Sequence, residues 1–316
     1  MKRAFVTGGS GFVGKRLITA LVDRGIPVVA LARSEAAAIA VRGAGAEPVR
    51  GDLDDVPVLT DGMHECDVVF HAAAYVKAYG ALREFMQANV TGTANVLAAA
   101  KAASVARFVH IGTEAVLADG KPIVHADEST PYPAKPAGHY PLTKGLAERA
   151  VIAAAAPYFE PVVVRPRFIW GKGDTSVLPS IIDAVKKKRF AWIGDGHYPT
   201  STCHVANVVE GALLAAEHGR SGEIYFLTDG APVDFRDFLT QVLATQGVDP
   251  GDRHVPRWAA KTAATLTGWM KRPPVTKTEL ALISHEVTVE DAKARRELGY
   301  VGAMTREAGL AELRAP

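Results

Sequence analysis

Six short apolar runs, at residues 3–7, 27–31, 48–53, 66–71, 107–113 and 161–165, alternate with alanine- and leucine-rich stretches at 15–24, 83–103 and 140–156. Runs this short and this apolar read as strands buried on both faces, and the stretches between them carry helical spacing. Strands that alternate with helices predict a parallel sheet covered on both sides, and right-handed crossovers make it doubly wound. After Arg165 the regularity breaks at Pro166, Gly171, Gly173, Pro179, Gly194, Gly196 and Pro199. Residues 223–227 read as one more strand of the main sheet, and 235–246 as another helix.

The first strand runs into Thr7-Gly-Gly-Ser-Gly-Phe-Val-Gly14, and a helical pattern follows at once. Gly8, Gly11 and Gly14 at this spacing give a tight turn, close backbone approach to a pyrophosphate and close helix–sheet packing. The helix N-terminus adds free N–H groups and a partial positive charge for the phosphates. A nicotinamide dinucleotide is therefore expected. The second strand ends Leu31-Ala-Arg33-Ser34 with no acid before Glu35. Arg33 suits a ribose 2′-phosphate by a forked, charge-assisted contact, and Ser34 adds a hydroxyl, so NADP(H) is favoured over NAD(H). Asp52, after the third strand, fits an acceptor for the adenine amino group and equally a turn residue.

Tyr140 and Lys144 stand one helical turn apart, about 5–6 Å at Cβ. A phenol with an ordinary pKa near 10 is a poor base at neutral pH, and an adjacent ammonium favours the phenolate. Lys144 also has the reach to hold the nicotinamide ribose. Thr113, at the carboxyl end of a predicted central strand, is placed to hold a substrate oxygen. Asn89 falls mid-helix, where asparagine is mildly unfavourable and a functional side chain explains it.

These pieces together resemble the short-chain dehydrogenase/reductase superfamily, extended branch, over nearly the whole chain. The matched segments are Thr7 to Gly14, Gly51-Asp52, His71 to Ala74, Asn89 to Thr93, Thr113, Tyr140 to Lys144 and Arg165 to Gly171. Within the branch the chain is most similar to the 3β-hydroxysteroid dehydrogenase-like group, through Arg165 to Gly171, Thr200 to Asn207 and Val287 to Tyr300. The resemblance implies Tyr140 as general acid/base, Lys144 as its tuner and ribose ligand, Thr113 as holder of the substrate oxygen, and Asn89 as support for a relay water. It implies cofactor contacts from Ser10, Phe12, Val13, Leu53, Ala72, Ala73, Ala74 and Arg167 beside those already named. It also implies a homodimer through the helices near Asn89 and Tyr140, and a bulky, largely apolar secondary alcohol or ketone as substrate.

The expected organisation is thus a Rossmann-like cofactor domain over residues 1–170, with a segment near 203–230 returning to it. A smaller C-terminal α/β substrate domain takes 171–202 and 231–316. Two other functions compete. A nucleotide-sugar epimerase or dehydratase uses the same tyrosine and lysine, but this chain has Thr200-Ser201 where such enzymes carry Arg-Asp, and Thr113-Glu114-Ala115 where dehydratases carry Thr-Asp-Glu. A non-catalytic NADP sensor typically lacks the tyrosine, which this chain keeps.

The bulk numbers exclude other classes. With 36 basic and 34 acidic residues the formal charge is +2, which leaves no footprint for nucleic acid. The dense basic run Lys186 to Arg189 reads as a solvated helix end. Cys66 and Cys203 form no disulfide framework or metal spacing, and His204 has no second ligand at metal spacing, so it reads as structural. No apolar run reaches about 18 residues, and the start of the sequence lacks a signal-peptide pattern, so a cytoplasmic chain without membrane contact is expected. The stretch from Pro256 to Arg272 holds Trp258, Leu266, Trp269 and Met270 with Arg257, Lys261, Lys271 and Arg272. It reads first as a packed helix, and alternatively as an apolar lid or interfacial helix.

Overall fold

The structure is a computed structural model that describes residues 1–77, 79–270, 273 and 275–314. β1 (Ala4–Thr7) turns through the glycines into α1 (Phe12–Asp23), and β2 (Val28–Ala32), α2 (Glu35–Gly43), β3 (Glu47–Arg50), α3 (Val56–Gly62) and β4 (Val68–His71) repeat the unit. A longer crossover of α4 (Leu82–Phe85), a π-helical turn (Met86–Thr91) and α5 (Gly92–Ala102) leads to β5 (Arg107–Ile111). A 3-10 turn (Glu114–Leu117), β6 (Ile123–Ala126) and α6 (His139–Ala153) precede β7 (Glu160–Pro166).

The remainder is made of shorter pieces. They begin with β8 (Ile169–Trp170), α7 (Val177–Lys186), β9 (Trp192–Ile193), β10 (Pro199–Thr200) and β11 (Cys203–His204). α8 (Val205–His218), β12 (Ile224–Leu227), β13 (Val233–Asp234), α9 (Phe235–Ala244) and β14 (His254–Val255) come next. The chain closes with α10 (Arg257–Leu266), α11 (Lys277–Ile283), β15 (Val287–Val289), α12 (Ala292–Leu298) and α13 (Arg306–Arg314).

Seven parallel strands form the main sheet in the order β12-β7-β5-β4-β1-β2-β3. This is the doubly wound arrangement, and its strand order reverses between β1 and β4, where ligands bind beyond the strand ends. β1, β2 and β4 are buried along their whole length. Both faces are covered, as runs without polar alternation require. Leu17, Ile18 and Leu21 of α1 join Val208 and Leu213 of α8 and Ala294 of α12 on one side. Leu59 of α3, Val96 of α5 and Val151 of α6 pack with Phe5 and Phe108 on the other.

Several element boundaries differ from the sequence reading, each for a local reason. The fourth strand starts at Val68, because the Asp67 carboxylate accepts hydrogen bonds from the Lys2 and Arg3 backbone N–H groups at 3.0 Å. The fifth ends at Ile111. The Gly112 N–H donates to the Val164 carbonyl at 2.7 Å, and Thr113 caps the 3-10 turn by accepting from the Ala115 N–H at 3.2 Å. The predicted helix over 83–103 is interrupted by the π turn that holds Asn89, a feature that recurs at functional sites.

A second, four-stranded sheet has the order β13-β10-β15-β6. Its strand β6 comes from the first half of the chain and pairs across a long separation, Ile123 opposite Val287. α10 packs inward through Ala260 and Ala264, while Trp258 and Leu266 face outward. Lys271 and Arg272 lie outside the described residues.

Candidate active site

The glycine turn fits a dinucleotide sterically. Gly8 has φ +71°, and a Cβ there would lie 2.6 Å from the Ala73 backbone N and 2.7 Å from the Ala72 carbonyl carbon. A Cβ on Gly14 would meet the Gly8 carbonyl oxygen at 2.2 Å, so α1 can approach the turn only without a side chain. Gly11 caps α1 with no side-chain hydrogen bond, which leaves its first N–H groups open to an anion. Ser10 is exposed there, Phe12 and Val13 are half-buried, and Ala72, Ala73 and Ala74 run along the opposite edge.

At the end of β2, Arg33 is exposed and has no partner among the described residues. Ser34 spends its hydroxyl oxygen on the Ala37 N–H, capping α2 at 3.2 Å. Glu35 faces away from a ribose role, since it pairs with Arg50 at 2.8 Å and Arg42 at 3.6 Å. Asp52 accepts from the Leu53 N–H at 2.8 Å, and Leu53 is buried against Gly92.

Past the strand ends lies a buried polar network. Thr93 Oγ1 donates to the Asn89 carbonyl at 2.6 Å, so His71 Nε2 must donate to Thr93 Oγ1 at 2.9 Å. Neutral His71 then accepts at Nδ1 from Thr7 Oγ1 at 2.7 Å. Burial, helped by the Lys144 charge, pushes the His71 pKa down to about 3, consistent with that neutral tautomer. The Asn89 side chain accepts from the Tyr75 N–H at 2.7 Å and donates to Thr143 Oγ1 at 3.1 Å. The π turn therefore aims Asn89 at α6, one residue from Lys144.

α6 places Tyr140 and Lys144 on one face. Lys144 is buried, and its ammonium donates to the Ile111 carbonyl at 2.8 Å and to His110 Nε2 at 3.2 Å. Burial lowers its pKa to about 8, against the pull of Glu148. His110, held neutral by burial and by Lys144, keeps an Nδ1–H with no partner among the described residues. Tyr140 is half-buried, and its phenol is held above its ordinary pKa by burial and by Glu114, while a hydrogen bond with the Thr113 hydroxyl pulls the other way. The phenol is thus raised, not lowered as an adjacent ammonium would have it, and the Lys144 ammonium is turned toward β5.

Thr113 Oγ1 donates to Glu114 Oε2 at 2.8 Å, and Glu114 pairs with Arg167 at 3.2 Å. Both members of that pair are buried. Arg167 also donates to Thr200 Oγ1 at 3.1 Å and to the Leu282 carbonyl at 2.8 Å, which ties the 3-10 turn to β10 and α11. Beneath Lys144, Glu148 is fully buried and receives the Arg165 guanidinium at 3.1 Å and the Tyr132 hydroxyl. His204 caps α8 by accepting from the Ala206 N–H, a structural role.

Residues 5–257 match the model of the 3-beta hydroxysteroid dehydrogenase/isomerase family. The chain belongs to that family. A 4-hydroxy-2-methyl-3-oxo-4-farnesyl-3,4-dihydroquinoline-1-oxide ketoreductase from Stigmatella aurantiaca is 53% identical, covering 99% of this chain and 96% of the relative. A sterol-4-alpha-carboxylate 3-dehydrogenase (decarboxylating) from Dictyostelium discoideum is 33% identical over 99% of this chain and all of its own length. The crystal structure of gox2253 superimposes with a TM-score of 0.80 at 29% identity, covering 99% of this chain and 98% of its own. The protein is accordingly an oxidoreductase of hydroxyl and keto groups that uses a nicotinamide cofactor.

Sequence reasoning missed part of what the fold brings together. Glu148 had a signal, since it follows Lys144 by four residues on the same helix face. Thr143 sits inside the Tyr140–Lys144 motif, and its bond to Asn89 forms only once the π turn packs on α6. His110 had no local signal, because its tie to Lys144 exists only once β5 and α6 pack together.

Proposed function

We propose that this protein is an NADP(H)-dependent reductase that interconverts a ketone and a secondary alcohol on a bulky, apolar substrate. The observation that carries this reading is Tyr140, half-buried at the sheet's carboxyl edge on the same face of α6 as Lys144, with burial and the nearby Glu114 holding its phenol above the ordinary pKa. A protonated phenol beside a hydroxyl is the arrangement that carbonyl reduction needs. When bound, the cofactor supplies the hydride. Tyr140 donates the proton to the carbonyl oxygen, and Thr113 orients that oxygen by turning its hydroxyl away from Glu114. Lys144, charged below about pH 8, leaves His110 to hold the ribose and stabilise the phenolate left behind. Asn89, fixed by Tyr75 and Thr143, keeps the N-terminal turn of α6 in place.

Support for NADP comes from Arg33, exposed and without a partner among the described residues, and from Glu35, whose carboxylate is occupied by Arg50 and Arg42. The apolar substrate class is supported by the farnesylated substrate in the name of the 53%-identical relative and by the sterol in that of another. A sugar nucleotide is disfavoured by Thr200 and Ser201. Both are fully buried, and Ser201 Oγ accepts from the Val289 N–H at 3.1 Å. The test is oxidation of NADPH, with NADH beside it, against a panel of bulky ketones. Turnover with NADPH and a clear preference over NADH is the expected result; preference for NADH would refute the role given to Arg33.

A further inference from the structure

α10 is built inside out. Its buried face carries the small Ala260 and Ala264, while its largest side chains point to solvent: Trp258 is 73% exposed and Leu266 67%. In the turn that follows, Trp269 is 85% exposed, and Met270 is exposed as well. A helix that only packs on a protein turns its bulk inward. The charge pattern is as one-sided. From Arg253 to Thr278 the sequence holds six Lys or Arg and no Asp or Glu, whereas the whole chain is nearly balanced at +2. Lys261, one helical turn from Trp258, is exposed, and so is Lys277 at the start of α11.

We propose that this face of α10 and the turn after it dock on the surface of an anionic lipid bilayer. Tryptophans and leucine would sit at the headgroup level, with the lysines among the phosphates. Interfacial tryptophan with flanking lysine is the pattern that lipid headgroups select, and an acid-free basic segment is drawn to an anionic leaflet. A protein partner fits less well. Two tryptophans and a leucine offer roughly 400–500 Å² of apolar surface, against the roughly 800 Å² per partner of a stable interface. The face is also convex, a single helix rather than a groove.

The position of α10 gives the contact a purpose. Arg257 Nε donates to the Ser284 carbonyl at 2.7 Å, fastening α10 to the end of α11. Thr278 of α11 donates to the Ala137 carbonyl at 2.8 Å, and its hydroxyl lies against Gly138, the residue that caps α6 two positions before Tyr140. On the other side of that helix start, His139 meets the Gly80 carbonyl at 3.3 Å, next to the exposed Val76, Tyr79 and Leu82. The mouth of the Tyr140 site is therefore flanked by apolar segments, one of them joined to the docking helix. Delivery of an apolar ketone from the bilayer to Tyr140 rests on the function proposed above; the lipid contact does not.

The experiment is co-sedimentation of the full chain with phosphatidylcholine vesicles, with and without about a third phosphatidylglycerol, at low salt. Wild type should pellet with the anionic vesicles and shift its tryptophan emission to the blue, since Trp170 and Trp192 are buried and report little. Lys261→Glu should weaken binding by roughly tenfold or more, as expected for a change of two surface charges. A Trp258→Ser/Trp269→Ser variant should bind about tenfold less and keep its turnover on a short, water-soluble ketone. Absence of wild-type pelleting, or equal pelleting of the double variant, overturns the proposal. A wild-type dimer that the double variant breaks, without lipid binding, assigns the face to a second copy instead. Vesicle binding without reduction of any ketone refutes the proposed function and leaves the lipid contact standing; reduction without vesicle binding does the reverse.

Discussion

Two buried polar clusters sit at the carboxyl edge of the same sheet, and they differ in how completely their hydrogen bonds are filled. Beyond β12, the buried Asp229 carboxylate accepts from Trp170 Nε1, Thr202 Oγ1, the His204 N–H and Asn207 Nδ2, all within 2.7 Å. Asn207 in turn binds both the N–H and the carbonyl of Met304. Every donor that meets the Asp229 carboxylate is used, with only the neighbouring His204 Nε2 left without a hydrogen-bond partner among the described residues, and the cluster clamps β8, β11, α8 and the C-terminal segment together. Beyond β1, β4 and β5 the bonding is unfinished. His110 keeps an N–H with no partner among the described residues, burial lowers the pKa of Lys144, and burial raises that of Tyr140. A completed network stiffens a fold, whereas groups with spare bonding capacity are what a substrate and cofactor can engage.

Substitutions should separate the two clusters cleanly. The largest effect is expected for Tyr140→Phe, a loss of about 10²–10⁴ in kcat with NADPH binding, followed by fluorescence, unchanged. Retained turnover would break the contrast at its reactive end. Asp229→Asn should cost about 2–3 kcal/mol in urea unfolding, because its NH2 would then face either the Trp170 and Thr202 donors or the His204 and Asn207 donors. The surviving folded enzyme should keep its kcat, and a fall in kcat without a fall in stability would mean that the filled cluster is also chemical. Arg33→Ala should raise the KM for NADPH about tenfold or more and leave that for NADH nearly unchanged. Arg50→Ala, whose guanidinium is already occupied by Glu35, should do less. The smallest effect is on pH. Lys144 in the free enzyme has its pKa lowered to about 8, so its charge is present below that pH and lost above it. kcat/KM for NADPH should then decline through about pH 8, and a flat profile to pH 9 or above would remove Lys144 from cofactor binding.

How much of this the sequence disclosed follows the same division. The glycine turn and the apolar runs state the main sheet openly, because a parallel strand buried on both faces leaves no polar alternation to confuse it. The placement of Tyr140 and Lys144 on one helix face, and of Thr113 just past the end of β5, was legible from spacing and strand position. The smaller sheet was not, since β10 and β13 have two residues each and β15 three, too few for any periodicity. The pairing of His110 with Lys144 and of Glu114 with Arg167 was invisible for a different reason. Each depends on elements that meet only in the folded chain. The outward bulk of α10 was readable as composition alone, and its orientation needed the neighbouring helix.

The pairing of β6 with β15 also sets an order of events during synthesis. Ile123 must wait for Val287, a separation of 164 residues, before its sheet can close, and contacts so distant form late. The main sheet can assemble through β12 while the last ninety or so residues are still inside or leaving the ribosome. The expected consequence is a nascent chain that has its nucleotide cradle but not yet the α11 wall beside Tyr140. Ribosome-bound chains halted near residue 260 should therefore protect the β1–α1 turn from protease while leaving residues 119–137 open to cleavage, and protection of both at that length would show that the late strand is not needed.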